Sequence, residues 1–402
     1  MSPLLTTLSL VLLVLACLPA AYLLLLALAA VKTTPCPPED PRPRHRFMIA
    51  IPAHDEGAVI ATSVRRLREL DYPTDLYTIH IMADHCSDDT ALLAQREGAF
   101  VHERKEGPRS GKGAALSWLF NQTFESVACD AIVIFDADTI VDSRFLKIMD
   151  AHLSRGDQAI QGQHIIRNPQ QGWFPALSWA MFLVDNRFQN QGRSNLGWSA
   201  KHMGDSICFC KEVLQKMGWG SGLTEDFQLR QRLLLENIRI VYEPAAKGYG
   251  EAPLTWQQAR RQRARWLRGT FEASRQFRQW LWQKGLRTGN LAMLDGALQA
   301  SLPSYSTLTL ASLLALLVQV LINLLAGPLF AAPLLWGWLA LSLLLFLYPF
   351  FGLLLEKAPP RAYLVMLSGP IFILWRTWLA IFSRFFKKQV AWQRTEHGQK
   401  KE

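Results

Sequence analysis

Residues 131–138 read Ala131-Ile132-Val133-Ile134-Phe135-Asp136-Ala137-Asp138. An unbroken apolar run of this length predicts a strand buried on both faces, as in a sheet with helices packed on each side. The run ends in two carboxylates one residue apart. Outward from it the pattern alternates. Upstream, 47–52 reads as a strand, 58–70 as a helix, 77–83 as a strand, 90–97 as a helix, 99–102 as a short strand and 111–120 as a helix; downstream, 238–242 is a late strand. Strands spaced by helices predict an α/β domain with a mostly parallel sheet. Ligands of such sheets bind beyond the carboxyl ends of the strands. Three of these ends carry polar clusters: His54-Asp55-Glu56, Asp84-His85 and Asp136-Ala137-Asp138.

The flanks belong to a membrane. Residues 3–31 contain no charged side chain, a run longer than the roughly 20 residues that span a bilayer. A signal peptide has a basic start and an apolar core of about 7–15 residues, so 1–32 is expected to be an anchor. Lys32, Arg42, Arg44 and Arg46 follow it and place the next segment in the cytosol. The Pro-rich stretch within 33–46 is a linker. Residues 254–305 open with Arg260, Arg261, Arg263, Arg265 and Arg268 among Trp256 and Trp266; basic, Trp-rich amphipathic helices lie at membrane interfaces. The same mixture occurs in nucleic-acid binders, and the neighbouring spans argue against a nucleic-acid partner. Two spans, 306–326 and 329–355, occupy 306–356. In 357–402, the stretch 363–382 is apolar but holds Gly369-Pro370 and Arg376, and suits lying along the interface as well as crossing. The basic tail then fits the cytosolic side. Charged residues are 19% of the chain, below the roughly 25% of soluble domains, and the net charge of +10 gathers beside the spans. The six cysteines form no CxxC pair. Cys208 and Cys210 would share one face of a strand, as small buried residues in a reducing compartment.

The chemistry follows from residue type. A departing diphosphate gains negative charge, and a divalent cation held by carboxylates neutralises it. Mg²⁺ and Mn²⁺ take hard oxygen ligands, which Asp136 and Asp138 can offer. An acceptor hydroxyl needs a base, and Thr224-Glu225-Asp226 opens a helix expected over 226–236. Acidic residues there also serve as dipole complements. In Gln262-Arg263-Ala264-Arg265-Trp266, Arg265 can grip a diphosphate bidentately, and Trp266 offers a flat face to a sugar.

In their order along the chain, these pieces resemble glycosyltransferase family 2, the inverting GT-A enzymes that include cellulose, chitin and hyaluronan synthases and ceramide glucosyltransferases. The resemblance covers 47–268 and rests on Ile51-Pro52-Ala53-His54-Asp55-Glu56, Asp84 to Thr90, Gly111-Lys112-Gly113, Asp136 with Asp138, Thr224-Glu225-Asp226, and Gln262 with Arg265-Trp266. It implies a Rossmann-like GT-A catalytic domain over 47–253. It implies that Glu56 and Asp84 hold the uridine and ribose of a UDP-sugar, that Lys112 approaches the nucleotide, that Asp136 supports the donor and that Asp138 ligates Mn²⁺ or Mg²⁺. Asp226 would be the base, Gln262 and Arg265 would hold the diphosphate, and Trp266 would lie beneath the acceptor. Asp205 lies on the segment where relatives build the acceptor side, and Trp392, Arg394 and Thr395 resemble a gating segment. His54-Asp55 stands where the family often has Tyr-Asn, which leaves the contact of Asp55 open. The expected protein is an integral membrane enzyme of the bacterial inner membrane. It acts on a lipid or lipid-linked acceptor among membrane lipids, or, as the alternative, builds a polysaccharide processively.

Overall fold

The computed structural model describes residues 2–40, 42–220 and 222–382; the tail residues Trp392, Arg394 and Thr395 lie outside them. Helix α1 (Pro3–Ala29) precedes a run of strands and helices: β1 (Phe47–Ala53), α2 (Ile60–Arg68), β2 (Tyr77–Asp84), α3 (Thr90–Arg96), β3 (Phe100–Arg104), α4 (Lys112–Thr123), β4 (Ala131–Ile134), β5 (Ile140–Val141), α5 (Phe145–Ser154) and β6 (Ala159–Ile166). Then come α6 (Trp173–Asp185), a π-helical stretch Asn186–Gln191, α7 (Gly192–Asn195), β7 (Ile207–Cys210), α8 (Lys211–Met217), α9 (Glu225–Leu235) and β8 (Val241–Gly250). The strands form one sheet in the order β3-β2-β1-β4-β7-β6-β8-β5.

Most of this sheet is parallel, as expected: β3, β2, β1 and β4 run together, and β6 and β8 pair parallel. Two strands run against it: β7 is antiparallel to both β4 and β6, and β5 is antiparallel to β8. β6 carries Gln161, Gly162, Gln163 and His164 in place of an apolar run, so periodicity passes over it. β8 also starts later than 238–242 suggests. Asn237 adopts φ 58, and the amides of Asn237 and Ile238 donate to Leu234 O and Leu233 O. That is a Schellman closure of α9, so Ile238 ends the helix rather than opening the strand. The two faces of the sheet separate by the period of two. Ile49, Ile51 and Val133 pack with α2 and α5, while Met48, Ala50, Ile132 and Ile134 pack with α4, α8 and α9. Cys208 and Cys210 are free thiols on β7, the first of them buried.

Beyond the sheet, α10 (Trp256–Thr288) is one helix, started by a Thr255/Gln258 capping box and stopped by Gly289 in the left-handed region. At about 1.5 Å per residue it runs about 50 Å. After α11 (Leu291–Ser301) come α12 (Tyr305–Ala326) and α13 (Ala332–Leu355). With α1 these make three helices long and apolar enough to cross a membrane. They share a polar clasp: Ser9 donates to Gln319 Oε1 at 2.8 Å and Trp338 Nε1 donates to Ser9 Oγ at 3.1 Å. Leu15, Leu317 and Leu343 stay half or more exposed on their outer faces, as lipid-facing side chains do. The remaining apolar stretch is broken into α14 (Pro360–Met366) and α15 (Gly369–Phe382), bent by 48° where they meet.

Helix α1 is tied to the sheet domain by a buried ionic knot. Tyr22 of α1 donates to Asp295 Oδ1 at 2.6 Å, and Arg193 of α7 donates to Tyr22 Oη at 2.7 Å. Arg193 Nε spans both Asp295 oxygens at 3.1 and 2.9 Å, and Arg230 of α9 reaches Asp295 Oδ2 at 3.1 Å.

Candidate active site

The site lies along the carboxyl ends of β1, β2 and β4. His54 Nδ1 meets Asp84 O at 2.7 Å, locking the first two strand ends together. Asp55, in the left-handed region at φ 53, accepts from the Ser87 and Asp88 amides at 2.6 and 3.3 Å. That settles its contact: it closes the loop that leads into α3. The Glu56 amide donates to Thr90 Oγ1 at 2.7 Å, and its side chain is buried. Asp84 is 5% exposed and accepts from Arg104 Nε at 2.7 Å, with His85 Nδ1 2.9 Å away. Arg104 and His85 thus fix the Asp84 carboxylate at the strand end where a nucleoside is expected.

At the centre, Lys112 from the first turn of α4 is ion-paired with Asp136 and donates to Gly204 O at 2.5 Å. Burial works against its charge, but Asp136, with Asp205 and Glu225, outweighs burial and raises its pKa. α4 reaches this close because residue 113 is glycine: a Cβ there would come within 2.5 Å of Gly220 O and 3.2 Å of Glu225 Cβ. Asp136 keeps 44% of its side chain exposed. Asp138 is half-buried and accepts from the Glu251 amide at 3.3 Å, linking the end of β4 to the end of β8.

Asp205, expected on the acceptor side, sits beneath the site at 1% exposure. Its Oδ1 accepts from the Asp136 amide at 2.9 Å, and its Oδ2 faces His164 Nδ1 at 2.7 Å and Ser206 Oγ at 3.1 Å. The geometry is that of a brace under Asp136. Burial resists the imidazolium of His164, and the Asp205 hydrogen bond and charge outweigh it, raising its pKa. His164 went unread in the sequence because it lies on β6; only the polar interruption of that strand marks it.

On the far side, α9 begins at Glu225. Asp226 Oδ1 accepts from the Phe227 amide at 2.7 Å, and Oδ2 lies 3.4 Å from where a Cβ on Gly204 would stand. Burial raises the pKa of Asp226, while the Phe227 amide, Arg265 and Lys112 pull against it. Glu225 is pushed up to about 7 by burial and by Asp226. Arg265 of α10 donates to Leu223 O at 2.9 Å and so faces the loop that carries this pair. Gln262 and Trp266 are half-buried on the same helix. The structure therefore brings Lys112, Asp136, Asp226 and Arg265 around residues 204 and 223–226, with Glu56, Asp84 and Asp138 at the neighbouring strand ends.

The model of glycosyl transferase family group 2 matches residues 131–386, well over half of the chain. The chain belongs to this family. The β-monoglucosyldiacylglycerol synthase of Trichormus variabilis is 29% identical over 236 residues, 56% of this chain and 48% of that protein. The poly-β-1,6-N-acetyl-D-glucosamine synthase of Staphylococcus epidermidis is 26% identical over 235 residues, 56% and 54% of the two chains. The chain thus spans about half the length of the curated relatives it matches. A mannosyltransferase from Pyrobaculum calidifontis, solved in complex with GDP-Man and Mn²⁺, superposes with a TM-score of 0.56 at 16% identity, covering 92% of this chain and 95% of its own. That likeness shows the GT-A fold, extended by helices that can span a membrane. The family match also runs through α10 to α15, so the helical half belongs to the family unit as much as the sheet does.

Proposed function

We propose that this protein is a membrane-bound inverting glycosyltransferase that moves a sugar from a UDP-sugar to a lipid acceptor and leaves a β-linkage. The observation that carries the reading is the facing of two groups across Gly204: the Lys112–Asp136 pair on one side and the Asp226 carboxylate on the other. In this reading the acceptor hydroxyl gives its proton to Asp226 as its oxygen attacks the anomeric carbon. The bond to the diphosphate breaks on the opposite face, and UDP leaves with the electron pair. One displacement inverts the centre, so an α-linked donor gives a β-product. Lys112, Arg265 and Gln262 hold the diphosphate, Glu56 and Asp84 the nucleoside, and Trp266 the acceptor. Asp205, with His164, positions Asp136.

The residues present fit a hard divalent cation. Asp136 and Asp138 offer only oxygen, at a strand end with a half-exposed carboxylate, and such ions take one or two protein carboxylates plus phosphate oxygens. Mn²⁺ or Mg²⁺ bound at Asp138 would supply neutralisation of the leaving group's charge. The basic flanks support a cytosolic position for this domain, at a bacterial inner membrane in this reading.

A secreted polysaccharide is the other reading, and a relative that makes one keeps it in view. Against it, Ser9, Gln319 and Trp338 bond one another between the spans, and α1, α12 and α13 carry no charged side chain to line a sugar channel. The test is detergent-purified full chain incubated with a panel of UDP-sugars, Mn²⁺ and membrane lipid extract, read by product mass. A single hexose added to a lipid is expected. A ladder of repeating mass means the polysaccharide reading, and no transfer from any UDP-sugar overturns the donor assignment.

A further inference from the structure

A second cationic site lies where α6, α10, α12 and α15 meet. The Arg263 guanidinium carbon stands 4.8 Å from the ring centre of Phe372, 5.5 Å from that of Phe174 and 5.7 Å from that of Trp266. Its Nε is sealed from solvent with no acceptor, and among the described residues no carboxylate pairs with it. Burial and the charge of Arg376 push its pKa down to about 9. Arg376 follows Phe372 by four residues on α15, so the two share a helix face. It donates to Ser306 Oγ at 3.0 Å. The carboxylate whose charge reaches it is Asp185, and Lys201 already holds both Asp185 oxygens at 2.7 and 2.9 Å. Trp375 Nε1, beside Arg376 in the chain, is likewise buried without an acceptor.

This arrangement departs from how the chain treats its other buried cations. Arg193 and Arg230 share Asp295, and Lys112 has Asp136. Aromatic faces attract a guanidinium but bring no counter-charge, and buried like charges without one are costly. Donors that face no protein acceptor are the mark of an anion site. Its depth says where the anion comes from. Ser306 lies in the first turn of α12, at the end of a spanning helix, which is headgroup level. Ile371, Leu374 and Trp378 of α15 are exposed beside it at 64, 57 and 44%, an apolar wall along which acyl chains can lie. The diphosphate side is separate: Arg265, two residues along α10, faces Leu223, and residues two apart on a helix do not share a face.

We propose that Arg263 and Arg376 together bind the phosphate of an anionic membrane phospholipid, at a site distinct from the nucleotide and bordering the Trp266 ring. Native mass spectrometry of the detergent-purified full chain, titrated with phosphatidylglycerol or phosphatidylcholine of the same acyl chains, tests this. Wild-type protein should retain one phosphatidylglycerol at lower lipid concentration than phosphatidylcholine. A charge-assisted hydrogen bond lost in Arg263→Gln or Arg376→Gln should weaken that retention about tenfold, and the double variant should treat the two lipids alike. UDP binding by calorimetry reports that each variant is folded, and the wild-type comparison needs no variant. Equal retention of the two lipids by wild-type protein overturns the proposal. So does a folded double variant that still prefers phosphatidylglycerol. Inorganic phosphate at matched concentration should leave the lipid bound; displacement by it would mean a free-phosphate site and overturn the lipid assignment.

Discussion

Two buried charge clusters in this protein use the same residue types to opposite ends. In the knot between α1, α7, α9 and α11, Arg193, Asp295 and Arg230 are 0–1% exposed, and their bonds are closed on every side: Arg193 also reaches Gln189 O at 2.8 Å, and Arg230 reaches Ala200 O at 2.7 Å and Ser199 O at 2.8 Å. In the cluster around Gly204, two carboxylates sit side by side in α9, one pushed up to about 7, and Asp136 stays half-open. A closed network has one low-energy state and serves as a joint. A network with exposed or like-charged members keeps protonation and ligand occupancy open, which is what a site needs. The two are linked, because Arg230 lies one turn along α9 from Asp226.

The largest effect expected is from the metal. EDTA should take transfer to background and Mn²⁺ or Mg²⁺ should restore it, while Asp138→Asn stays folded and inactive; full activity after stripping would break the contrast between an open and a closed cluster. Next, Asp226→Asn should lower the transfer rate by about 10²–10⁴ with UDP binding retained, because a positioned base contributes that much. Loss of UDP binding in parallel would make Asp226 a structural residue like Asp295. In the knot, Asp295→Ala leaves two guanidiniums buried and should cost about 3–5 kcal/mol, read as thermal unfolding in detergent. Tyr22→Phe, which removes one hydroxyl, should cost about 1 kcal/mol. If Asp295→Ala unfolds like wild type, the knot is no joint.

The smallest effect is a pH shift, and it sharpens the comparison most. Base catalysis needs Asp226 ionised, and burial raises its pKa, so activity should fall on the acid side at a pH above the ordinary carboxylate range. Asp226 ionises beside a Glu225 that is still protonated, since the Asp226 charge helps to hold Glu225 up to about 7, so Glu225→Gln should leave that limb in place. The stability sign is opposite to that of a salt-bridged acid. A raised folded pKa means that the native state loses stability as pH climbs from the unfolded value near 4.3 through about 7. Glu225→Gln should therefore unfold at higher temperature than wild type at pH 8, and at about the same temperature at pH 4.

The spans, the buried strand 131–134 and the acidic ends of β1, β2 and β4 were legible in the sequence, since each is a local pattern set by bilayer thickness or by the period of a strand. So was the start of α9. The break between α14 and α15 was half-announced by Gly369-Pro370. What the tertiary structure alone decided involves partners far apart in the chain. Polar side chains hide β6 from periodicity, so the antiparallel β7 between β4 and β6, the His164–Asp205 brace and the inward turn of Asp205 emerge only when β6 pairs with β7. Asp295 reads as a lone acid on a short helix until Arg193 and Arg230 close on it across 102 and 65 residues. Arg263 reads as one more base in a cationic run until Phe174, Phe372 and Arg376 gather round it. Sequence reports what each side chain can do, but whether a charge is matched depends on which distant groups arrive beside it.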